Sequence, residues 1–104
     1  MSKNIAIGGL SQFAGSVALS ANNIDWSLGN VFTKTLSANA TFTFSNSTDG
    51  RTIVLKITNS SASPLTLTFP VAVVSPDTTV LALKTKIYTF VNIANVFYTT
   101  STEF

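Results

Sequence analysis

Asp25, Asp49, Asp77 and Glu103 are the only acidic residues in this chain, and they set the limits of what it could catalyse. A glycosidase needs two carboxylates facing each other across a sugar cleft. Asp25 beside Trp26 is the pairing that most invites this reading, because an aromatic face can stack on a sugar ring. A single Trp among strand residues is more often a core residue. Asp49 and Asp77 sit in turn clusters, where a side chain that caps nearby backbone explains them more simply. Serines abound, but the chain has no His, so the usual nucleophile–base triad cannot form. It has no Cys either, which excludes disulfides and thiolate metal sites. Calcium takes about six to eight oxygen ligands, and no DxDxDG-type loop supplies them. Gly8-Gly9 is too short to cradle a phosphate. The residues therefore predict neither an enzyme nor a cofactor-binding protein.

Charge narrows the partners further. Lys and Arg number six against the four acids, and charged residues make up 10% of the 104 positions. Lys3, Lys34, Arg51, Lys56, Lys84 and Lys86 are scattered apart from the Lys84/Lys86 pair, whereas phosphate binding needs a concentrated basic footprint. No nucleic-acid partner is expected. No run approaches the roughly eighteen apolar residues of a membrane helix, and the N-terminal stretch lacks the continuous apolar segment of a signal peptide. Ser, Thr and Asn outnumber charges several-fold, so the surface must be largely neutral and hydroxylated. Such a surface favours self-association or burial in an assembly over life as a lone subunit.

The elements that would carry such a surface are strands. Thr41 and Thr43 alternate with Phe42 and Phe44, and side chains of a strand point to opposite faces in turn. The same rhythm places Ile53, Leu55 and Ile57 on one face with Val54 and Lys56 on the other, and sets Leu65, Leu67 and Phe69 against Thr66 and Thr68. Val31 to Leu36 reads as a strand after the Gly29-Asn30 turn. Asp49-Gly50 is a strong turn signal. Pro70 ends the strand before it, since proline cannot donate to a ladder. Val71 to Val74 and Val80 to Leu83 read as short strands. Ile87 to Ile93 and Val96 to Thr100 form a hairpin around Ala94-Asn95. Helix patterns are almost absent. The expected fold is all-β: an antiparallel β-sandwich, jelly-roll-like, spanning residues 23–104. Residues 1–22, rich in small side chains, are expected to form an N-terminal arm. There Ile5, Ile7, Leu10 and Phe13 are either anchors for a partner or part of the core.

The segment IDWSLGNVFTKTLSANATFTFSN, beginning at Ile24, resembles a short β-module of tailed-bacteriophage structural proteins. The resemblance rests on Asp25-Trp26, the Gly29-Asn30 turn, the Phe32-Thr33-Lys34-Thr35-Leu36 strand and the Thr41-Phe42-Thr43-Phe44 strand. It continues through Leu65 to Pro70 and through the aromatic hairpin of Tyr88, Phe90, Phe97 and Tyr98. It covers about residues 24–100, specifically in the first half and weakly in the second. It implies a virion structural protein. The Met1-Ser2 start and the lack of a repetitive shaft favour a capsid decoration (cement) protein over a fibre. Such a protein would be a homotrimer bridging capsomers, with Ile5, Ile7, Leu10 and Phe13 as capsid contacts. The alternative is a tail-fibre, head-fibre or receptor-binding module, in which Trp26 and Tyr98 would contact a host surface glycan.

Overall fold

The computed structural model describes residues 15–104. The chain runs through β1 (Val17–Ala18), β2 (Asn23–Asp25), a 3₁₀ turn (Trp26–Leu28), β3 (Val31–Leu36), β4 (Ala40–Thr41), β5 (Thr43–Ser45) and β6 (Thr52–Asn59). It continues through β7 (Leu65–Thr68), β8 (Val73–Val74), β9 (Thr79–Val80), β10 (Thr85–Ile93) and β11 (Val96–Glu103). The all-β class follows directly from the alternating pattern. Ile53, Leu55 and Ile57 of β6 are buried, while Thr52 and Lys56 face out. Trp26 to Leu28 forms a 3₁₀ turn inside a strand-rich stretch. Asp25 caps this short turn by accepting the Ser27 amide at 2.9 Å, so the local hydrogen bond wins over strand propensity. The expected strand Thr41–Ser45 is interrupted at Phe42, and its two halves pair with different neighbours.

The pairing differs from the antiparallel expectation. A six-stranded sheet has the order β1-β3-β6-β10-β11-β8, beside a three-stranded sheet β4-β7-β9 and a two-stranded sheet β2-β5. Within these, β1–β3, β3–β6, β2–β5, β4–β7 and β8–β11 are all parallel. Parallel neighbours need a crossover rather than a tight hairpin. Here each crossover passes through the smaller sheets. The chain leaves β3, turns into β4 and β5, and returns as β6 in the same direction, so Phe32 lies beside Leu55 one coil later. The winding is solenoid-like. Turn signals and alternation specify strands but not their partners, which is why the sequence pattern alone suggested hairpins. Residues Val17 and Ala18, placed in the expected arm, are instead the first rung of the six-stranded sheet. Gly29 permits that rung to sit close, since a Cβ there would meet the Val17 side chain at 3.0 Å.

The winding ends in the long β10–β11 hairpin, antiparallel from Lys86↔Glu103 to Ile93↔Val96. Ala94 and Asn95 both have positive φ, 54° and 65°, the geometry of a two-residue turn whose twist matches the strands. The core lies on the inward face of the six-stranded sheet. Phe32, Leu55, Tyr88 and Phe90 on that sheet bury with Leu67 and Val80 of the three-stranded sheet and with Phe42 between β4 and β5. Most of its rings meet edge to face or tilted, as in Phe44–Phe97 at 4.9 Å and Phe69–Tyr88 at 5.1 Å, an arrangement that aromatic quadrupoles favour, while Phe42–Phe69 and Tyr88–Phe90 are stacked.

Candidate functional site

Each carboxylate has a structural partner. Asp25 accepts hydrogen bonds from Ser27 and Asn46, and these hold its carboxyl below the usual range. Asp49 accepts the Ala94 amide at 2.8 Å and steadies the hairpin turn. Asp77 and Glu103 flank the Lys86 ammonium at 2.5 and 3.7 Å. The Lys86 hydrogen bond, followed by the Thr79 amide, lowers the Asp77 carboxyl. A carboxylate tied to a buried cation stays ionised, so Asp77 is not set up as a general acid. Among the described residues, no group of three or more Asp or Glu could hold a metal ion.

Lys86, which the sequence reading counted only among the basic residues, is not a surface charge. It is buried, and its ammonium also donates to the Thr79 carbonyl at 2.7 Å. The Tyr88 hydroxyl donates to the Asp77 carbonyl at 2.5 Å, and burial pushes that phenol far above its ordinary range. The signal was present in the alternation: Lys86, Tyr88, Phe90 and Asn92 share the inward parity of β10. Asn59 is similarly buried. Its amide nitrogen donates to the carbonyls of Ser63, Val80 and Leu81, while its oxygen accepts from the Ser61 amide and hydroxyl. One side chain thus ties the turn after β6 to the end of β9.

Trp26, expected to offer a face to sugar if the module bound glycan, has no exposed surface. It packs against Phe44 and Phe97 at 5.4 and 5.3 Å. The Arg51 guanidinium holds its turn in place, donating to the carbonyls of Trp26 and Gly29. The glycan-contact role is corrected for Trp26, because a ring enclosed on both faces cannot stack on a ligand. Its Nε1 and the Asn92 amide nitrogen are buried without a hydrogen-bond partner. Both residues lie next to Phe97, Trp26 by ring contact and Asn92 by strand register. Tyr98, the other glycan candidate, is 49% exposed beside Val74 and Val91. The two candidates therefore face opposite sides of the sheet. Ile5, Ile7, Leu10 and Phe13 lie outside the described residues.

The outward face of the six-stranded sheet is chemically uniform. Strand register lays its side chains in rows. One row runs Val31, Val54, Thr89, Thr100, and the next runs Thr33, Lys56, Ile87, Thr102. Lys56 is the one charged residue with outward parity on β3, β6, β10 and β11. Toward the hairpin turn the face becomes apolar, with Val91, Tyr98 and Val74 in one row and exposed Ile93 beyond. The other cations of these strands, Lys34 and Lys86, have inward parity. Lys34 donates to the Leu19 carbonyl. No protein-family model, no curated protein and no solved structure matches this chain.

Proposed function

We propose that this chain is a structural protein of a bacteriophage virion, acting as a trimeric capsid decoration protein that stabilises contacts between capsomers. The observation that carries the reading is the outward sheet face, wide and nearly free of charge. Interface centres are depleted of charged residues, and a face of Thr, Val and Ile loses little by desolvation when it is covered. Apolar surface buried there contributes about 25 cal/mol per Å² before the costs of association. A trimer seated on a three-fold position would engage several capsomers together, so that modest contacts combine into strong attachment. The resemblance of residues 24–100 to phage β-modules supports the same reading. Architecturally we class the fold as a two-layer β-sandwich wound as a short solenoid and closed by a hairpin.

The second reading is a fibre or receptor-binding module. It is favoured by the exposed Tyr98 among Val74, Val91 and Ile93. The test is binding to purified shells and to tails of the phage whose virion contains the chain, for wild type and for Thr89→Glu. Thr89 lies mid-face, flanked by Val54 and Thr100. The expected result is shell binding by wild type and at least tenfold weaker binding by a variant of unchanged melting temperature. Undiminished shell binding by Thr89→Glu would remove the face from the interface, and attachment to tails alone would favour the second reading. Ile5, Ile7, Leu10 and Phe13 remain proposed as an additional shell contact. A folded product lacking residues 2–13 is then expected to bind more weakly.

A further inference from the structure

The six-stranded sheet leaves part of β11 without a neighbour. In an antiparallel pair, alternate residues exchange both backbone hydrogen bonds. Thr85 and Phe104 do so at 3.4 and 2.7 Å. By register Thr102, Thr100 and Tyr98 likewise bond toward β10, and the amides and carbonyls of Phe97, Thr99, Ser101 and Glu103 point to the other side. β8 covers that side only as far as Phe97 and Tyr98: the Phe97 amide reaches the Ala72 carbonyl at 3.0 Å, and the parallel register of Tyr98 with Val74 directs the Thr99 amide to the Val74 carbonyl. Ser75, with φ of 42°, then turns the chain away toward Asp77, which lies against the inward-facing Lys86 and Tyr88. Among the described residues, no strand pairs with β11 on this side from Thr99 to Glu103.

This edge has none of the usual protection. Natural edges carry Lys, Pro or a bulge that deters pairing, and β11 reads VFYTTSTE with an unbroken register to β10. Its one charge is already engaged. The Glu103 carboxylate accepts the Leu81 amide at 3.0 Å and lies 3.7 Å from the Lys86 ammonium. Large apolar side chains flank the edge: Leu81 at 48% exposure, next to Glu103, and Phe104 at 66%, next to Thr85.

We propose that two copies of this chain join here, β11 against β11 in antiparallel fashion about a two-fold axis through Thr102. The geometry allows one productive register. Only Ser101 and Glu103 offer both a free amide and a free carbonyl, with the Thr99 carbonyl beside them, so bonded pairs must match odd with odd positions. Centring on Ser101 would bring the partner's Phe104 opposite Tyr98, a place that Val74 already occupies. Centring on Thr102 pairs Ser101 with the partner's Glu103, and Glu103 with the partner's Ser101, giving four backbone hydrogen bonds. On the outward face Thr102 meets the partner's Thr102, and Phe104 lies opposite the partner's Thr100. A second copy is the occupant that fits, because an isologous contact needs a surface complementary to itself. A neutral Ser/Thr ladder with its single carboxylate internally compensated meets that condition. It presents no net charge with which to select a foreign acidic or basic strand. The joint does not rest on the proposed virion role, and it can link trimers built through another surface.

The test uses the full chain and charge complementation at Thr102. Sedimentation of wild type should show concentration-dependent pairing of whatever unit forms at low concentration. Thr102→Lys and Thr102→Glu each place like charges at the axis, so each alone should pair at least tenfold more weakly, with an unchanged far-ultraviolet spectrum and melting temperature. Their equimolar mixture should recover pairing, which a merely misfolded variant would not do. Amide exchange at Ser101 and Glu103 should slow as concentration rises, while exchange at Thr99, whose amide already bonds toward Val74, should not change with concentration. A wild type that never pairs, pairing unaffected by either substitution, or a mixture that fails to recover would each overturn the proposal. Protection of Ser101 and Glu103 only on adding a different protein would overturn it in favour of a foreign strand.

Discussion

Lys86 concentrates the chemistry that individual residues contribute. A buried ammonium is tolerated because Asp77, Glu103 and the Thr79 carbonyl surround it. Removing one partner of a buried pair costs more than replacing the charge by an apolar side chain. Asp77→Ala is therefore expected to destabilise by about 1–2 kcal/mol, held to that by the half-exposed Asp77 side chain and by the remaining contact with Glu103, while Lys86→Met should stay within about 1 kcal/mol of wild type. Chemical denaturation of the two variants and of their double mutant checks the ordering. The pH dependence has a defined sign. Asp77 is lowered in the folded state, so its contribution is complete above the ordinary Asp range near pH 4. It is lost as pH falls through the lower folded value. Thermal melts from pH 6 to pH 2 should show a declining midpoint, with a shallower decline in Asp77→Asn. Arg51 acts by shape as well as charge, since its fork spans the carbonyls of Trp26 and Gly29. Lys has no such fork, so Arg51→Lys is expected to cost about 1 kcal/mol and to quicken exchange around Trp26.

At the level of elements, the hairpin and the split strand behave differently. Ala94 occupies a left-handed conformation that a Cβ disfavours by about 1 kcal/mol. Ala94→Gly relieves this strain and is expected to raise the denaturation midpoint, by less than that figure because glycine also loosens the unfolded chain. Phe42 sits between β4 and β5, 1% exposed and stacked on Phe69 at 5.7 Å. Phe42→Ala is expected to cost about 3–5 kcal/mol in an equilibrium unfolding titration. The short pairings of β2 with β5 lean on side chains as well as backbone. The Asn23 oxygen accepts the Thr43 hydroxyl at 2.8 Å, and the Asn23 nitrogen donates to the Ser45 hydroxyl at 3.1 Å. These contacts join residues about twenty positions apart, which no local pattern could have announced.

Across the whole molecule, charge is sorted by face. The outward side of the large sheet keeps only Lys56, whereas Lys86, Asp77 and Glu103 compensate one another at the opposite side of that sheet. Such sorting leaves the outward face with a single charge, although the chain carries ten charged residues. It also makes solution behaviour a whole-molecule observable. Val54→Lys, on the outward face beside Val31 and Thr89, should leave the melting temperature within a degree or two. The same variant should lower the concentration-dependent light scattering of the wild type. Scattering equal to wild type would show that association proceeds elsewhere.

The sequence by itself determined the strands, because burial of alternate residues is a local consequence of a two-residue period. Val31–Leu36 and the Ala94–Asn95 hairpin are where the pattern put them. It also limited reactive chemistry, since residue types such as His and Cys are simply missing from the chain. Only the tertiary structure decided which strands are neighbours, and that they run parallel through successive coils. Pairing depends on how each connection crosses between sheets, and turn residues encode that only loosely. The same crossings enclosed Trp26, drew Lys86 into the interior and left one side of β11 open. All three are properties of what packs beside a residue, and none belongs to the residue alone.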